Sequence, residues 1–304
     1  MQTGFDVILN AGSGGRRAEE LRQFIAEQFR AQGVEANILL AGSGKDLAAL
    51  AQRAREDSSE VVVAAGGDGT INAVASALVG TGKSLGVLPV GTFNYFAKNL
   101  GIPLDLAEAV GTAARRHTAE VDLAEVNGRI ILNNASIGLY PSIIRQREQE
   151  YRRWGRRQLV AYAAVARALF QGSPFLGVHI SAGGEELPVR TPLVFVGSNK
   201  YQIEEFGLPG GECVGRGELA IYVARPTGWT GLMLLAVQAL LGRLHGERRL
   251  QLICTEKARV TTRRPRLPVA LDGEVLLLET PLRFATRPAA LKVIVPEERA
   301  RDLP

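Results

Sequence analysis

The sequence contains few of the residues that build metal centres and thiol sites. Its 304 residues include two cysteines, Cys213 and Cys254, and three histidines, His117, His179 and His245. No two of these side chains stand at the spacing of a metal-binding motif. This scarcity argues against a zinc site and against a Cys/His nucleophile, and it makes a reducing cytoplasm the default compartment.

Aromatic residues are scarce as well, and no apolar run is long enough to span a membrane. Aromatic side chains make up 6% of the sequence and form no evident platform for stacking bases, so we expect no nucleic-acid partner. The most apolar stretch, residues 229–244, is interpreted as a buried helix, because Arg243 and His245 interrupt its end. Residues 1–10 lack the basic and apolar regions of a signal peptide, so we expect none there.

The remaining composition is that of a folded protein with a modest basic bias. Apolar residues make up 46% of the chain, the formal net charge is +5 and the pI is about 9.4. The length suits one large domain or two ordinary ones. The positive charge suits anionic ligands or an anionic membrane surface.

Apolar runs alternate with helix-like spacing through the first third of the chain. The runs that indicate strands are residues 5–9, 35–40, 61–65 and 84–88, and those with helical spacing are residues 18–32, 46–55 and 71–78. Repeated strand–helix units of this size predict a doubly wound parallel sheet. Ligands of such sheets bind at the carboxyl ends of the strands, where Asn10 and Asp68 both fall.

Beyond about Val121 the pattern changes to short β-rich runs separated by glycine and proline, which predicts an antiparallel β-sandwich. One long helix is expected at residues 157–170, and a frayed tail at residues 297–304. The predicted fold class is therefore α/β plus β. A doubly wound parallel-sheet nucleotide domain comes first and an antiparallel β-sandwich domain follows.

The segment Gly66-Gly67-Asp68-Gly69-Thr70 carries the strongest chemical signal. It follows an apolar strand-like run and precedes residues with the spacing of a helix. A strand that ends in glycines and opens a helix is a phosphate cradle, because backbone N–H groups at the helix start face the anion. A carboxylate in such a loop indicates that Asp68 holds Mg²⁺ or takes a proton beside the phosphates. The structural alternative is a tight turn without a ligand.

A second glycine loop, Pro89-Val90-Gly91-Thr92-Phe93-Asn94, follows the fourth predicted strand. Thr92 and Asn94 can donate hydrogen bonds to phosphate or to the polar edge of a nucleotide. Two such loops about 20 residues apart are far more specific than either loop alone.

With these motifs the sequence resembles the diacylglycerol kinase catalytic domain family. The resemblance is to its bacterial lipid-kinase branch, which is related to sphingosine kinase and more distantly to NAD kinase. It covers nearly the whole chain. The motifs that carry it are, in order, Asn10–Gly14, Gly66–Asn72, Pro89–Asn94, Val121–Leu123 with Asn133–Gly138, and Leu271–Glu274 with Pro281.

The resemblance implies ATP and Mg²⁺ as cofactors and transfer of the γ-phosphoryl group to a lipid hydroxyl, most simply of a diacylglycerol-type lipid. It also implies an ATP-binding α/β domain at residues 1–122 and a β-rich lipid-substrate domain at residues 123–288. Residues 289–304 would return to the first domain.

Roles for individual residues follow from the same resemblance. Glu274 matches the residue that accepts the proton of the lipid hydroxyl, and Asp68 and Asp122 match the catalytic acidic residues that form a network with water and Mg²⁺ near the phosphates. The implied nucleotide-binding residues are Asn10, Gly12, Ser13, Gly14, Gly66, Gly67, Asp68, Gly69, Thr70, Asn72, Gly91, Thr92 and Asn94.

The sequence departs from the family in the second domain. The resemblance implies a structural Mg²⁺ site with an aspartate before a Gly-Leu pair, and this chain has Arg216 at that place. The arginine brings positive charge where a cation would sit, and Glu218 compensates it only in part. We therefore expect no structural metal there.

Arginines cluster between residues 145 and 157, with Trp154 among them. The cluster consists of Arg145, Arg147, Arg152, Arg153, Arg156 and Arg157. Such a run is either a solvated face or a patch that meets anionic lipid headgroups. Because a kinase of an insoluble substrate must reach the bilayer, we predict a cytoplasmic protein that contacts the membrane peripherally through these residues.

Two alternatives to the lipid kinase remain open. An NAD kinase shares the Gly-Gly-Asp-Gly loop and the two-domain layout, although the loops Pro89–Asn94 and Leu271–Glu274 resemble the lipid branch. A catalytically silent nucleotide- or lipid-binding regulator is favoured by Arg216 and opposed by Asp68 and Glu274. The sequence names neither the lipid nor the oligomeric state, for which a homodimer fits the resembling family.

Overall fold

The computed structural model describes residues 4–10, 16–141, 144, 175–225 and 249–302. The predicted helices at residues 157–170 and 229–244 and the arginine cluster at residues 145–157 lie outside these ranges, as do Gly12, Ser13 and Gly14. Contacts divide the chain into two compact units, Met1–Leu123 with Arg287–Pro304, and Ala124–Thr286.

The first unit combines a mostly parallel sheet with helices. Its strands are β1 (Phe5–Leu9), β2 (Ala36–Leu40), β3 (Val61–Gly66), β4 (Ser84–Pro89), most of β5 (Thr118–Val126) and the second half of β16 (Leu282–Ile294). Its helices are α1 (Arg16–Ala31), α2 (Gly44–Glu56), α3 (Asp68–Leu78), α4 (Tyr95–Asn99), α5 (Leu106–Arg115) and α8 (Glu297–Asp302). The strand order is β2-β1-β3-β4-β16, and β5 pairs with β16.

Burial on both faces explains the apolar strands of this sheet. Every side chain of β1 and β3 is buried, as in parallel sheets that are covered by helices on both sides. Helix α1 packs against α5, and α2 packs against α3. The register pairs Leu9 with Ala65 and Gly66 with Pro89, so the loops after β1, β3 and β4 leave the sheet at the same edge. The predicted doubly wound sheet is confirmed.

The second unit is an antiparallel sandwich. Its remaining strands are β6 (Arg129–Ile131), β7 (Asn134–Gly138), β8 (Leu176–Ala182), β9 (Glu185–Thr191), β10 (Leu193–Gly197), β11 (Leu219–Ala224), β12 (Leu250–Thr255), β13 (Lys257–Thr261), β14 (Arg266–Leu271) and β15 (Glu274–Glu279), and its helices are α6 (Lys200–Glu205) and α7 (Gly211–Gly215). One sheet has the order β16-β13-β8-β9, and the other has the order β12-β11-β10-β7-β14-β15. Ile180 and Val260 from the first sheet and Ile137 and Ile221 from the second share one buried core, which confirms the predicted sandwich.

Three findings differ from the sequence-based picture or add to it. The tail predicted to fray instead forms α8, where the guanidinium of Arg299 donates to the carbonyl oxygen of Asn99 at 2.8 Å and ties the helix down. Cys213 of α7 and Cys254 of β12 form a disulfide with a Cα–Cα distance of 5.7 Å. Within the described ranges, the helices are all too short or too polar to cross a membrane.

Candidate functional site

The predicted phosphate cradle forms the joint between β3 and α3. Gly67 is the N-cap of α3 and makes no side-chain capping hydrogen bond to the first turn of the helix. The N–H groups at a helix start that lack a capping side chain are suited to bind an anion. Thr70 folds back over Gly66, where an added Cβ would stand 2.5 Å from the Thr70 hydroxyl oxygen. Residue 66 therefore has to be glycine while Thr70 is buried.

The second glycine loop touches the first one backbone to backbone. A Cβ added to Gly91 would stand 2.4 Å from the Cα of Gly67 and 2.8 Å from Oδ1 of Asn94. Asn94 adopts the left-handed conformation, with φ 53°. Its Oδ1 accepts from the Gly91 N–H at 3.1 Å, and its Nδ2 donates to the Gly91 carbonyl at 2.9 Å. The amide of Asn94 thus closes the loop, whereas Thr92 is exposed to solvent.

Asn10 connects the end of β1 to the cradle. Its Nδ2 donates to the Thr70 hydroxyl at 3.0 Å, and its backbone N–H donates to the carbonyl oxygen of Ala65 at 2.9 Å. A cavity of about 390 Å³ opens beside these residues. Its walls are Asn10, Arg17, Leu21, Gly67, Thr70, Val90 and Gly91. Predicted residues from all three loops therefore meet at one cavity within the first unit.

Arg17, Leu21 and Val90 line this cavity but were absent from the predicted site. Arg17 and Leu21 stand four residues apart on α1, which places both on the same side of the helix. The helix begins at Arg16 rather than at the predicted residue 18, so Arg17 is helical. Arg17 lies close in sequence to the glycine-rich loop Asn10–Gly14. A cationic side chain so near to a predicted phosphate-binding loop is the signal that could have identified Arg17.

Asp68 is the first residue of α3, at the same edge as the cavity. Its Oδ1 accepts from the backbone N–H of Phe96 at 3.1 Å, which joins the start of α3 to the start of α4. The side chain is partly exposed, so it can serve this structural contact and still meet a ligand. A carboxylate in the first turn also suits the positive end of a helix dipole.

Asp122 and Arg216, the other residues tied to metal binding by sequence, have local partners. The carboxylate of Asp122 on β5 accepts from the backbone N–H of Ala289 at 2.8 Å, and Ala289 has φ +47°. Arg216 pairs with Glu218 at 2.8 Å. Among the residues that the structure describes, no three His, Cys, Asp or Glu side chains come together as a metal-binding group. The role of Asp122 at a metal stays a prediction.

Glu274 follows a two-residue hairpin turn between β14 and β15. Asp272 and Gly273 both have positive φ, of 46° and 89°, which is the conformation of an Asp-Gly turn. The carboxylate of Asp272 accepts backbone N–H groups of Leu132, Asn133 and Asn134 at 2.8–2.9 Å. Glu274 itself is exposed. Asp272 thereby anchors the turn that presents Glu274.

The predicted crossover motif at residues 133–138 supplies a buried amide network. Asn199 Nδ2 donates to Asn133 Oδ1 at 2.7 Å, and Asn134 Nδ2 donates to Gln202 Oε1 at 2.8 Å. All four side chains are buried. Leaving a buried amide without a hydrogen-bond partner would cost free energy, so these hydrogen bonds hold the four side chains in one arrangement. These asparagines fix the segment whose backbone N–H groups bind the Asp272 carboxylate.

We expect Asp272→Asn to lower the free energy of unfolding of the second unit by about 2 kcal/mol. Asparagine tolerates the left-handed backbone, but it replaces one of the two carboxylate oxygens that accept N–H groups with a donor. Hydrogen exchange at residues 132–134 should accelerate along with the loss of stability. Glu279→Gln is the control, because the side chain of Glu279 takes part in an exposed ion pair with Arg266 and its backbone contacts are kept. Equal stability of the two variants would contradict the anchoring role.

Comparison with known proteins places these features in a family context. The family model "Diacylglycerol kinase catalytic domain" matches residues 5–126. A "Probable lipid kinase YegS-like" protein of Pseudomonas syringae pv. tomato is 30% identical over 294 residues, which cover 91% of this chain and 89% of that protein. A protein of the same description from Klebsiella pneumoniae is 37% identical over 134 residues, and the chain spans only 44% of that relative's length.

Solved structures share the fold at lower identity. A crystal structure described as a diacylglycerol kinase from Bacillus anthracis is similar with a TM-score of 0.71 and 20% identity, and the match covers 97% of this chain and 98% of that one. At this level of identity the similarity concerns the fold alone.

Proposed function

Since the chain belongs to the diacylglycerol kinase catalytic domain family of lipid kinases, we propose that it transfers the γ-phosphoryl group of ATP to a lipid hydroxyl. The observation that carries the proposal is the backbone contact between Gly67 and Gly91 beside the 390 Å³ cavity. Two glycine loops packed this closely at a helix N-terminus provide a surface that phosphate can approach without side chains in the way.

In this proposal the phosphates of ATP lie over the start of α3. The N–H groups at the start of this helix, the Asn10 amide and the Arg17 guanidinium supply hydrogen-bond donors and positive charge. Thr92 adds an exposed hydroxyl from the second loop. Asn94 contributes by shaping that loop rather than by direct contact, because both ends of its amide bind Gly91. The contributions expected of Gly12, Ser13 and Gly14 remain predictions.

Asp68 fits the role of a magnesium ligand, with Asp122 as the second carboxylate of the proposal. Mg²⁺ at phosphate sites is held by one or two carboxylates together with phosphate oxygens and water, so a partly exposed carboxylate in the first turn of α3 suffices. When bound, the ion neutralises charge that develops on the phosphates. Asp68 also fixes α4 through the Phe96 N–H, so it positions the second loop and its neighbours at the same time.

We assign Glu274 to proton acceptance from the lipid hydroxyl. A general base has to reach its substrate proton, and the exposed carboxylate at the head of β15 is free of burial. The Asp272 anchor holds this hairpin in one conformation, which limits the positions that the base can take. The acceptor is proposed to be a diacylglycerol-type lipid bound by residues 123–288.

The test of the proposed function is ATP consumption with Mg²⁺ against a panel of acceptors. The panel consists of diacylglycerol in mixed micelles, sphingosine, phosphatidylglycerol and NAD. Turnover that depends on diacylglycerol is the expected result. Turnover on NAD alone would overturn the lipid assignment, and ATP binding without turnover on any acceptor would favour a silent regulator.

Glu274→Gln should lower kcat on the preferred lipid by about 10²–10⁴-fold, because the amide cannot take the proton. The affinity for ATP should be unchanged. Glu185→Gln is a matched control, since Glu185 is an exposed glutamate that directly follows a two-residue glycine turn in the same unit. A Glu274→Gln enzyme with the kcat of the control would remove Glu274 from the mechanism.

A further inference from the structure

The disulfide of the second unit fastens a helix that has little stability of its own. Helix α7 has five residues and lies between glycines, with Gly210 before it at φ 105° and Gly217 after it at φ 78°. A single helical turn flanked by glycines is marginal in isolation, so its position depends on its contacts with neighbouring elements. The bond from Cys213 to Cys254 joins α7 covalently to strand β12.

The two cysteines of this bond differ in their access to solvent. Cys213 is 4% exposed, whereas Cys254 is partly exposed, so the thiolate of a dithiol reductant can approach from the Cys254 side. In the reaction the protein S–S bond breaks and a disulfide forms in the reductant, while two electrons and two protons convert both cysteines to thiols. Because the Cα atoms stand 5.7 Å apart, a usual separation for a disulfide, the bond can form again in this arrangement without backbone movement.

Helix α7 packs in turn against α6. A Cβ added to Gly211, at the start of α7, would stand 3.2 Å from Oε1 of Glu204 and 3.4 Å from Cγ of Lys200. The hydroxyl of Tyr222 donates to the carbonyl oxygen of Pro209 at 2.6 Å, which fixes the segment between the two helices to β11. Loss of the disulfide would let α7 shift about this fixed point and change its contact with α6.

Helix α6 begins at the buried amide network behind the proposed base. Asn199 accepts the N–H of Gln202 at 2.9 Å and donates to Asn133 Oδ1, so both ends of its amide are used at the start of α6. Gln202 Oε1 accepts from Asn134 Nδ2. The backbone N–H groups of Asn133 and Asn134 bind the Asp272 carboxylate. A shift of α6 would therefore reach the turn that presents the base.

We propose that the Cys213–Cys254 disulfide is a redox switch for the turn that carries Glu274. With the bond intact, α7 and α6 hold the amide network, and the turn keeps one conformation. After reduction the network loosens and the base is positioned less well, so phosphoryl transfer slows. The effect on catalysis rests on the proposed function, whereas the effect on the turn does not. In the cytoplasm, the compartment that the sequence predicts, disulfides are usually transient and often redox-sensing.

The test compares the full chain in its oxidised form with the same chain reduced by dithiothreitol. Alkylation followed by mass spectrometry should find the two thiols only after reduction. Hydrogen exchange at residues 132–134 should accelerate by about tenfold on reduction, and kcat on the preferred lipid should fall by about 10–10²-fold with the affinity for ATP unchanged. Strand β8, in the opposite sheet of the same unit, is the internal control and should exchange equally in both forms.

Cys213→Ala/Cys254→Ala should exchange like the reduced wild type and show no response to dithiothreitol. Free thiols in the oxidised preparation, equal exchange at residues 132–134 in the two forms, or an equal acceleration in β8 would each overturn the switch. These comparisons use the wild-type chain, so they do not depend on the folding of the variant. Faster exchange at residues 132–134 without turnover on any acceptor in either form would support the switch of the turn and contradict the proposed function.

Discussion

Asp68→Asn should lower the rate of phosphoryl transfer by about 10²–10⁴-fold with the fold intact. The asparagine oxygen can still accept the Phe96 N–H, so the joint between α3 and α4 is kept while the negative charge is lost. Steady-state kinetics on the preferred lipid and a direct measurement of nucleotide affinity separate the two contributions. We expect kcat to fall and nucleotide binding without Mg²⁺ to change little, since the N–H groups of the cradle remain.

The control for this change is Asp105→Asn in the same unit. Asp105 caps α5 by accepting N–H groups of Ala107 and Glu108, and asparagine caps helices equally well. Its rate and melting temperature should therefore match the wild type. If Asp68→Asn also kept the wild-type rate, Asp68 would be a structural joint only, and the proposed magnesium ligand would have to be sought elsewhere.

Gly91→Ala should unfold or deform the proposed nucleotide site more severely than any other single methyl addition there. The new methyl group would overlap Cα of Gly67 at 2.4 Å, and both partners are backbone, so neither can rotate away. We expect the first unit to lose about 1–3 kcal/mol of stability and the chain to lose most of its affinity for ATP. Urea denaturation and equilibrium nucleotide binding measure the two effects.

Gly44→Ala provides the matched control. Gly44 opens α2, and an added Cβ there meets no atom within 4 Å. Alanine is the better helix former by up to about 1 kcal/mol, so this variant should be as stable as the wild type or slightly more stable. A Gly91→Ala protein that behaved like the Gly44→Ala protein would show that the two loops separate freely, and the cradle would lose its structural basis.

Local patterns were sufficient to predict the first unit and the family. Buried parallel strands are continuous apolar runs, so residues 5–9 and 61–65 could be recognised as strands almost to the residue. The glycine loops could be recognised in the same way, because the glycines that allow close backbone approach lie within short stretches of the sequence. The membership of the diacylglycerol kinase catalytic domain family that these motifs predicted is confirmed.

Sequence reasoning missed contacts between distant segments and the use of one side chain within its own loop. Asp272 receives the N–H of Leu132 across 140 positions of sequence, and nothing local to the Asp-Gly turn distinguishes this anchor from an ordinary hairpin. Asn94 has a polar amide that could bind a ligand, yet this amide forms hydrogen bonds within its own loop. Arg17 became part of the cavity because α1 starts earlier than its apolar spacing indicates.

Strand β16 makes the order of synthesis matter for this protein. Its second half completes the sheet of the first unit by pairing Lys292 with Ser84 and Val293 with Leu85, so the chain between them, about 200 residues, must be made before β4 finds that neighbour. Closing so long a loop is slow, and pairings this distant lower folding rates. During synthesis, β4 therefore presents an open sheet edge until β16 has emerged from the ribosome. The parallel sheet of the first unit is thus completed only after the strands of the second unit have been made.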